Sequence, residues 1–126
     1  MIIQALHHVS VIVSDTAHSL AFYCDLLGMT QTDRPDLGFP GAWLQIGAQQ
    51  LHLMQVPPPH GAALVDESIA IGRDRHVAFH VDDVDAFADR LRQAGIAFSP
   101  SRSGRRVIFC RDPDGNGIEL AERPRF

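Results

Sequence analysis

The feature that most restricts this chain is that it repeats itself. Set against itself with an offset of 68 residues, His8 falls on His76, Val9 on Val77, Val13 on Val81 and Asp15 on Asp83. That is four identities in the sixteen positions from His8 to Tyr23, where about one is expected by chance, and a fixed offset of this kind marks two copies of one structural unit. With an offset of 67, Gly28 falls on Gly95, and Leu51-His52-Leu53 falls on Ile118-Glu119-Leu120. Any fold for these 126 residues must be built from two similar halves.

The local signals come in the same order in both halves. Leu6 to Val13 is short and β-branched, as a strand is. Ser14-Asp15-Thr16 supplies helix-capping chemistry, and Leu20, Phe22, Tyr23, Leu26 and Leu27 recur at helical spacing until Gly28. Arg34 to Gly41 reads as a loop, and Ala42–Ile46 and Gln50–Val56 as strands joined at Gly47-Ala48-Gln49. In the second half Arg75 to Val81 is a strand. Asp82-Asp83 caps a helix carrying Val84, Phe87, Leu91 and Ala94, and Gly95 ends it. A short strand near Ile96–Phe98 follows, then Arg106–Cys110 and Gly117–Ala121 around the turn Asp112-Pro113-Asp114-Gly115-Asn116. The expected fold is α+β: two βαβββ modules form a curved mixed sheet around a cleft, with helices on the outer face. Residues 1–126 make one domain, with module 1 at about 1–56, a proline-broken linker at about 57–72, and module 2 at about 73–126.

Alternation then sorts the side chains. Val9, Val11 and Val13 share one face of the first strand, and Val77, Phe79 and Val81 share the matching face of its counterpart. These faces belong under the helices. His8 and His76 look out of the opposite faces, and His7 falls with the helix-side set or at the frayed start. In the last strands, Leu51 and Leu53 flank His52, and Ile118 and Leu120 flank Glu119. Each copy thus offers two metal-capable side chains away from its helix: His8 with His52, and His76 with Glu119. A pseudo-two-fold between the copies would bring all four to one cleft. Three imidazoles and a carboxylate suit Fe, Ni, Mn, Co or Zn. A lone strand histidine is ordinarily a hydrogen-bonded structural residue; His18, His60 and His80 are assigned that role, although His80 shares the face of His76 and could line the cleft.

Charge and composition remove other functions. All eleven basic residues are arginine, so there is no lysine for Schiff-base chemistry or a P-loop. A net charge of −4 opposes nucleic-acid binding, which depends on neutralising phosphates. No apolar run approaches the ~20 residues of a membrane span, and the N-terminus lacks a signal-peptide pattern. Cys24 and Cys110 read as buried free thiols, which fits a cytoplasmic protein. Arg102, Arg105 and Arg106 form either a clamp for a substrate anion or a charged hairpin edge. Trp43, Gln45 and Met54 share a face that could line the cleft, with core packing the expected role for Trp43 and Met54.

His8-Val9-Ser10-Val11-Ile12-Val13-Ser14-Asp15, Ser19-Leu20-Ala21-Phe22-Tyr23 and Leu26-Leu27-Gly28-Met29 resemble the vicinal oxygen chelate superfamily, the glyoxalase, bleomycin resistance protein and extradiol dioxygenase group. Arg75-His76-Val77-Ala78-Phe79, and Asp112-Pro113-Asp114-Gly115-Asn116 with Ile118-Glu119-Leu120, resemble its second-half hallmarks. The resemblance covers nearly the whole chain. It implies a divalent metal ion on His8, His52, His76 and Glu119, a small oxygen-chelating substrate, and a homodimer. Sites in such a dimer often take one module from each chain. The function it implies is that of a metal-dependent glyoxalase-like lyase or isomerase, in which Glu119, with His52, moves the proton. The chain departs from the family at His52, where bacterial glyoxalase I is expected to carry a carboxylate. His8, His76 and Glu119 alone resemble the two-histidine, one-carboxylate set of the dioxygenases and fosfomycin thiol transferases, and metal-free binding or resistance proteins share the fold. Arg105, Arg106, Gln45 and His80 are the expected substrate contacts.

Overall fold

The computed structural model describes residues 1–58, 66–100 and 104–124. The chain divides into two compact units, Met1–Ala62 and Ala63–Phe126. The first runs β1 (His8–Ile12), α1 (Thr16–Leu20), a π-helical stretch (Ala21–Leu26), β2 (Thr30–Thr32), β3 (Gly41–Ile46) and β4 (Gln49–Met54). The second runs a 3-10 turn (Ile71–Arg73), β5 (His76–Val81), α2 (Val84–Gln93), β6 (Phe98–Pro100), β7 (Val107–Arg111) and β8 (Gly117–Glu122). Each is one βαβββ unit. The strand orders are β1-β4-β3-β2 and β5-β8-β7-β6. In both, the first strand pairs in parallel with the last, and the other pairings are antiparallel. The fold is therefore α+β with two mixed sheets. His60 and Arg102 lie outside the described residues. The 3-10 turn falls within the segment expected to be linker, and β6 starts two residues later than the expected Ile96.

Burial follows the alternation. Leu51, Leu53, Ala42 and Leu44 are fully covered with Val13, Phe22, Tyr23 and Leu27 in the first unit. Ile118, Leu120, Ile108 and Cys110 are covered with Val84, Ala88 and Leu91 in the second. Each helix rests on the two later strands, α1 on β3 and β4, α2 on β7 and β8. That placement leaves Val9, Val11, Val77 and Phe79 on the edge strands only half-buried. Cys24 is half-buried, less enclosed than the sequence suggested, whereas Cys110 is buried; both are free thiols.

The duplication extends to the helix starts. Asp15 Oδ1 accepts from the His18 N–H at 3.0 Å, and Asp83 Oδ1 from the Ala86 N–H at 3.1 Å, the ordinary N-cap bond. A second acceptor arrives from just beyond the end of β4 and from the end of β8. Gln55 Oε1 takes the Thr16 N–H at 2.8 Å, and Glu122 Oε2 takes the Val84 N–H at 3.0 Å. The helix ends also correspond, on Gly28 at φ 79° and Gly95 at φ 72°, backbone that glycine enters without a Cβ penalty. The first copy has one residue more between cap and closing glycine, Asp15 to Gly28 against Asp83 to Gly95. The π-helical stretch absorbs it: the Leu27 N–H reaches back five residues to the Phe22 carbonyl at 3.0 Å.

Two outcomes follow from this packing. A Cβ on Gly117 would lie 2.9 Å from the Arg75 carbonyl oxygen, 2.9 Å from Ile71 Cγ2 and 3.0 Å from His76 Cβ. Gly117→Ala should therefore cost about 1–3 kcal/mol, the usual cost of overpacking, measured by chemical denaturation. Burial, with the Asp112 charge adding to it, pushes the Cys110 thiol up to about 12. A raised thiol pKa gives stability that is complete below the unfolded value of 9.0 and is lost as pH rises from there toward about 12. Denaturation midpoints should fall across that window, the fall should flatten in Cys110→Ala, and native Cys110 should resist thiol reagents until the protein unfolds.

Candidate functional site

The register places the expected donors in pairs. Ser10 lies opposite His52, and Ala78 opposite Glu119. These small residues leave room for the rings of His8 and His76, two positions earlier on the same face, to lean toward their neighbours. His76 Nε2 stands 3.3 Å from Glu119 Oε1. His8 and His52 stack with ring centroids 3.9 Å apart and planes at 14°.

The second-unit pair is oriented from behind. His76 Nδ1 is 2.8 Å from the Asp74 carbonyl oxygen. A carbonyl only accepts, so Nδ1 carries a proton and Nε2 is the ring nitrogen turned toward Glu119. Nε2 and the carboxylate oxygen together make a seat for a cation, a proton shared between them or a metal ion that takes its place. Two donors about 2.1 Å from one ion stand roughly 3.0–3.4 Å apart, and this pair fits. The backbone bond behind the ring is the usual second support of a metal-binding histidine.

The first-unit pair is different. His52 is buried, with Trp43 stacked on one side at 4.3 Å and 6°, and His8 on the other. Burial, with His8, His7 and Arg34 adding to it, holds the His52 imidazole below the ordinary histidine range, so it stays neutral. Near-parallel rings point their nitrogen lone pairs into separate planes. Sharing an ion requires one ring to turn, and His8, which is exposed, has the room. His7 joins this cluster: its Nδ1 lies 2.7 Å from His8 Nδ1 and its ring meets His52 edge-on at 6.4 Å. Among the described residues, no three His, Cys, Asp or Glu side chains gather as a ligand set for one ion. The donors come two from each unit.

The other expected contacts separate. Gln45 lies on the His52 face and bonds to Gln50, whose Nε2 donates to Gln45 Oε1 at 2.8 Å. His80 shares the parity of His76 but sits four residues on, roughly 13 Å at the usual strand rise. It lines a cavity of about 650 Å³ with Asp82, Asp83 and Arg123. Arg105 is exposed ahead of β7. Arg106 faces the wrong way for the expected role. It donates to Asp85 Oδ2 at 2.8 Å and Glu122 Oε2 at 3.0 Å on the helix side of the sheet, where it neutralises the carboxylate that caps α2. Trp43, expected in the core, is half-buried against His52 instead.

Phe109 and Arg111 were not anticipated. Phe109 pairs with Glu119 as Trp43 pairs with His52, and its ring meets His76 edge-on at 6.1 Å. Both border a cavity of about 450 Å³ with Ile71, Phe98 and Glu67. The signal was present in the duplication: Trp43 and Phe109 occupy corresponding places once the two hairpins are put in register.

Comparison with known proteins bears on the family and the fold. Residues 5–120 match the Glyoxalase/Bleomycin resistance protein/Dioxygenase superfamily. The chain is 32% identical to the YaeR protein of Escherichia coli, over 96% of this chain and 98% of that one. It is 30% identical to a lactoylglutathione lyase of Salmonella typhimurium, over 93% and 91%. A glyoxalase family protein from Bacillus anthracis has a similar crystal structure, with a TM-score of 0.75, 26% identity and 98% of each chain covered. The chain belongs to the Glyoxalase/Bleomycin resistance protein/Dioxygenase superfamily.

Proposed function

We propose that the protein is a metal-dependent lyase or isomerase of glyoxalase type, acting on a small substrate that presents two neighbouring oxygens. The observation that carries this reading is the His76–Glu119 pair: two donors 3.3 Å apart, with the far side of the imidazole held by the Asp74 carbonyl. His8 and His52 complete the set. A divalent ion held by these residues would supply Lewis acidity toward the substrate oxygens and so acidify the adjoining C–H. Glu119 then accepts the proton and returns it to the neighbouring carbon. The neutral, buried His52 stands where the resemblance to bacterial glyoxalase I leads one to expect a carboxylate; its single lone pair either ligates the ion or accepts a proton, so it serves as the second proton-handling group only when it is not a ligand. The hemithioacetal of a 2-oxoaldehyde with a thiol is the substrate class that fits this proton shift, in keeping with the lactoylglutathione lyase relative. The cavity beside Phe109 and Arg111 has room for the remainder of such a molecule.

Two half-sites of two donors each call for assembly. β1 and β5 each end the strand order of their own sheet and carry half-buried apolar faces, and the edge of a sheet favours pairing. A homodimer whose sites combine His8 and His52 with His76 and Glu119 meets both needs.

Metal analysis of tag-free protein, with isothermal titration of Ni(II) and Zn(II), checks the reading. One ion per site is expected. His76→Ala or Glu119→Gln should weaken binding by at least about 100-fold, since loss of an outer-shell partner alone costs 10–100-fold. Substoichiometric metal that cannot be restored, and that neither substitution changes, would sink the proposal. Sedimentation should give twice the chain mass, and a monomer with full metal occupancy would remove the homodimer.

A further inference from the structure

We propose that Gln45 and Gln50 are positioning residues that fix the tautomer of His52, leaving Nδ1 as its proton-accepting nitrogen. The argument starts from backbone. Gln45 Nε2 lies 2.8 Å from the Gly47 carbonyl oxygen and 3.3 Å from that of Gln49. Carbonyls only accept, so the Gln45 amide has one orientation, with its Oε1 turned inward. That oxygen accepts from Gln50 Nε2 at 2.8 Å, which fixes the Gln50 amide in turn. Gln50 Oε1 then stands 2.8 Å from His52 Nε2. An amide oxygen cannot donate, so Nε2 carries the proton and Nδ1 carries the lone pair. The polarity of the hairpin turn is passed through two amides to an imidazole.

The second unit shows what the relay is for. Arg111 occupies the place of Gln45 and donates from Nη1 to the Gly115 carbonyl oxygen at 2.9 Å, the counterpart of Gly47. There the chain of bonds ends, because Gly117 stands where the first unit has Gln50. The donor at the next position is Glu119, whose two carboxylate oxygens need no choice of tautomer. The relay is present in the unit whose last-strand donor is histidine, and missing from the one whose donor is a carboxylate. Neutral His52, held by Trp43 and His8 on its faces and by Gln50 at its edge, can accept a proton or ligate only through Nδ1 while the relay stands. That role for Nδ1 rests on the proposed function; the tautomer does not.

Long-range proton–nitrogen NMR of the full, metal-free chain with ¹⁵N-labelled histidine, at mildly alkaline pH, tests the tautomer. His52 should show a protonated Nε2 whose proton exchanges slowly. Gln50→Leu should speed that exchange by about tenfold, the factor one hydrogen bond of ordinary net worth supplies. Gln45→Leu should speed it less, and Gln50→Glu, still an acceptor, should restore it. A protonated Nδ1 in the unsubstituted protein, or exchange that Gln50→Leu leaves unchanged, overturns the relay. Addition of Zn(II) then separates the two readings. A shift at His52 Nδ1 supports its role at the metal, a shift at Nε2 overturns the relay in the loaded protein, and no shift at either nitrogen overturns the metal role while the tautomer stands.

Discussion

The parallel pairing of first and last strand is the constraint on which the rest of each unit depends. It lays His8 beside His52 and His76 beside Glu119 with no loop involved, so the donors stand on rigid backbone. The register that achieves this is set by packing on the opposite face. Leu51, Leu53, Ile118 and Leu120 are 0–1% exposed, and a slip by one residue would expose them and bury the donors. Hydrophobic burial and the proposed chemistry therefore share one alternation, and neither can move without the other.

Within that shared frame the two copies have diverged in how they aim their donors. The second uses backbone: the Asp74 carbonyl behind His76, and a chain that brings Ile71 and the Arg75 carbonyl close over Gly117 and lays Gly72 against the Phe109 ring. The first uses side chains, the amides of Gln45 and Gln50 and the stacked Trp43. A buried histidine has one lone pair whose position must be specified, whereas a carboxylate has oxygens to spare. The difference in aiming devices follows the difference in donor chemistry.

Much of this was legible in the residues. The repeat gave the two βαβββ units, and alternation put His8, His52, His76 and Glu119 on the faces away from the helices. Arg106 was readable too: it lies two residues before Ile108, hence on the helix side, but its position in a cluster of arginines suggested an anion site. Trp43 looked like core because a tryptophan is large and apolar, and nothing local said that its stacking partner would be a histidine. The amide relay was out of reach, because it depends on which residues face each other across β3 and β4 and on which way each amide is turned. Phe98–Pro100 was misplaced by two residues because a three-residue strand carries too little pattern to locate its ends.

The π-helical turn has one more consequence. A residue added to a helix would ordinarily rotate everything after it by about 100° and push the following strand out of line. Here the added residue is wound into a wider turn, and the chain leaves both helices through the same glycine geometry. A change of length was converted into a change of winding. The two copies therefore differ in length by one residue while the partner residues of their sheets correspond.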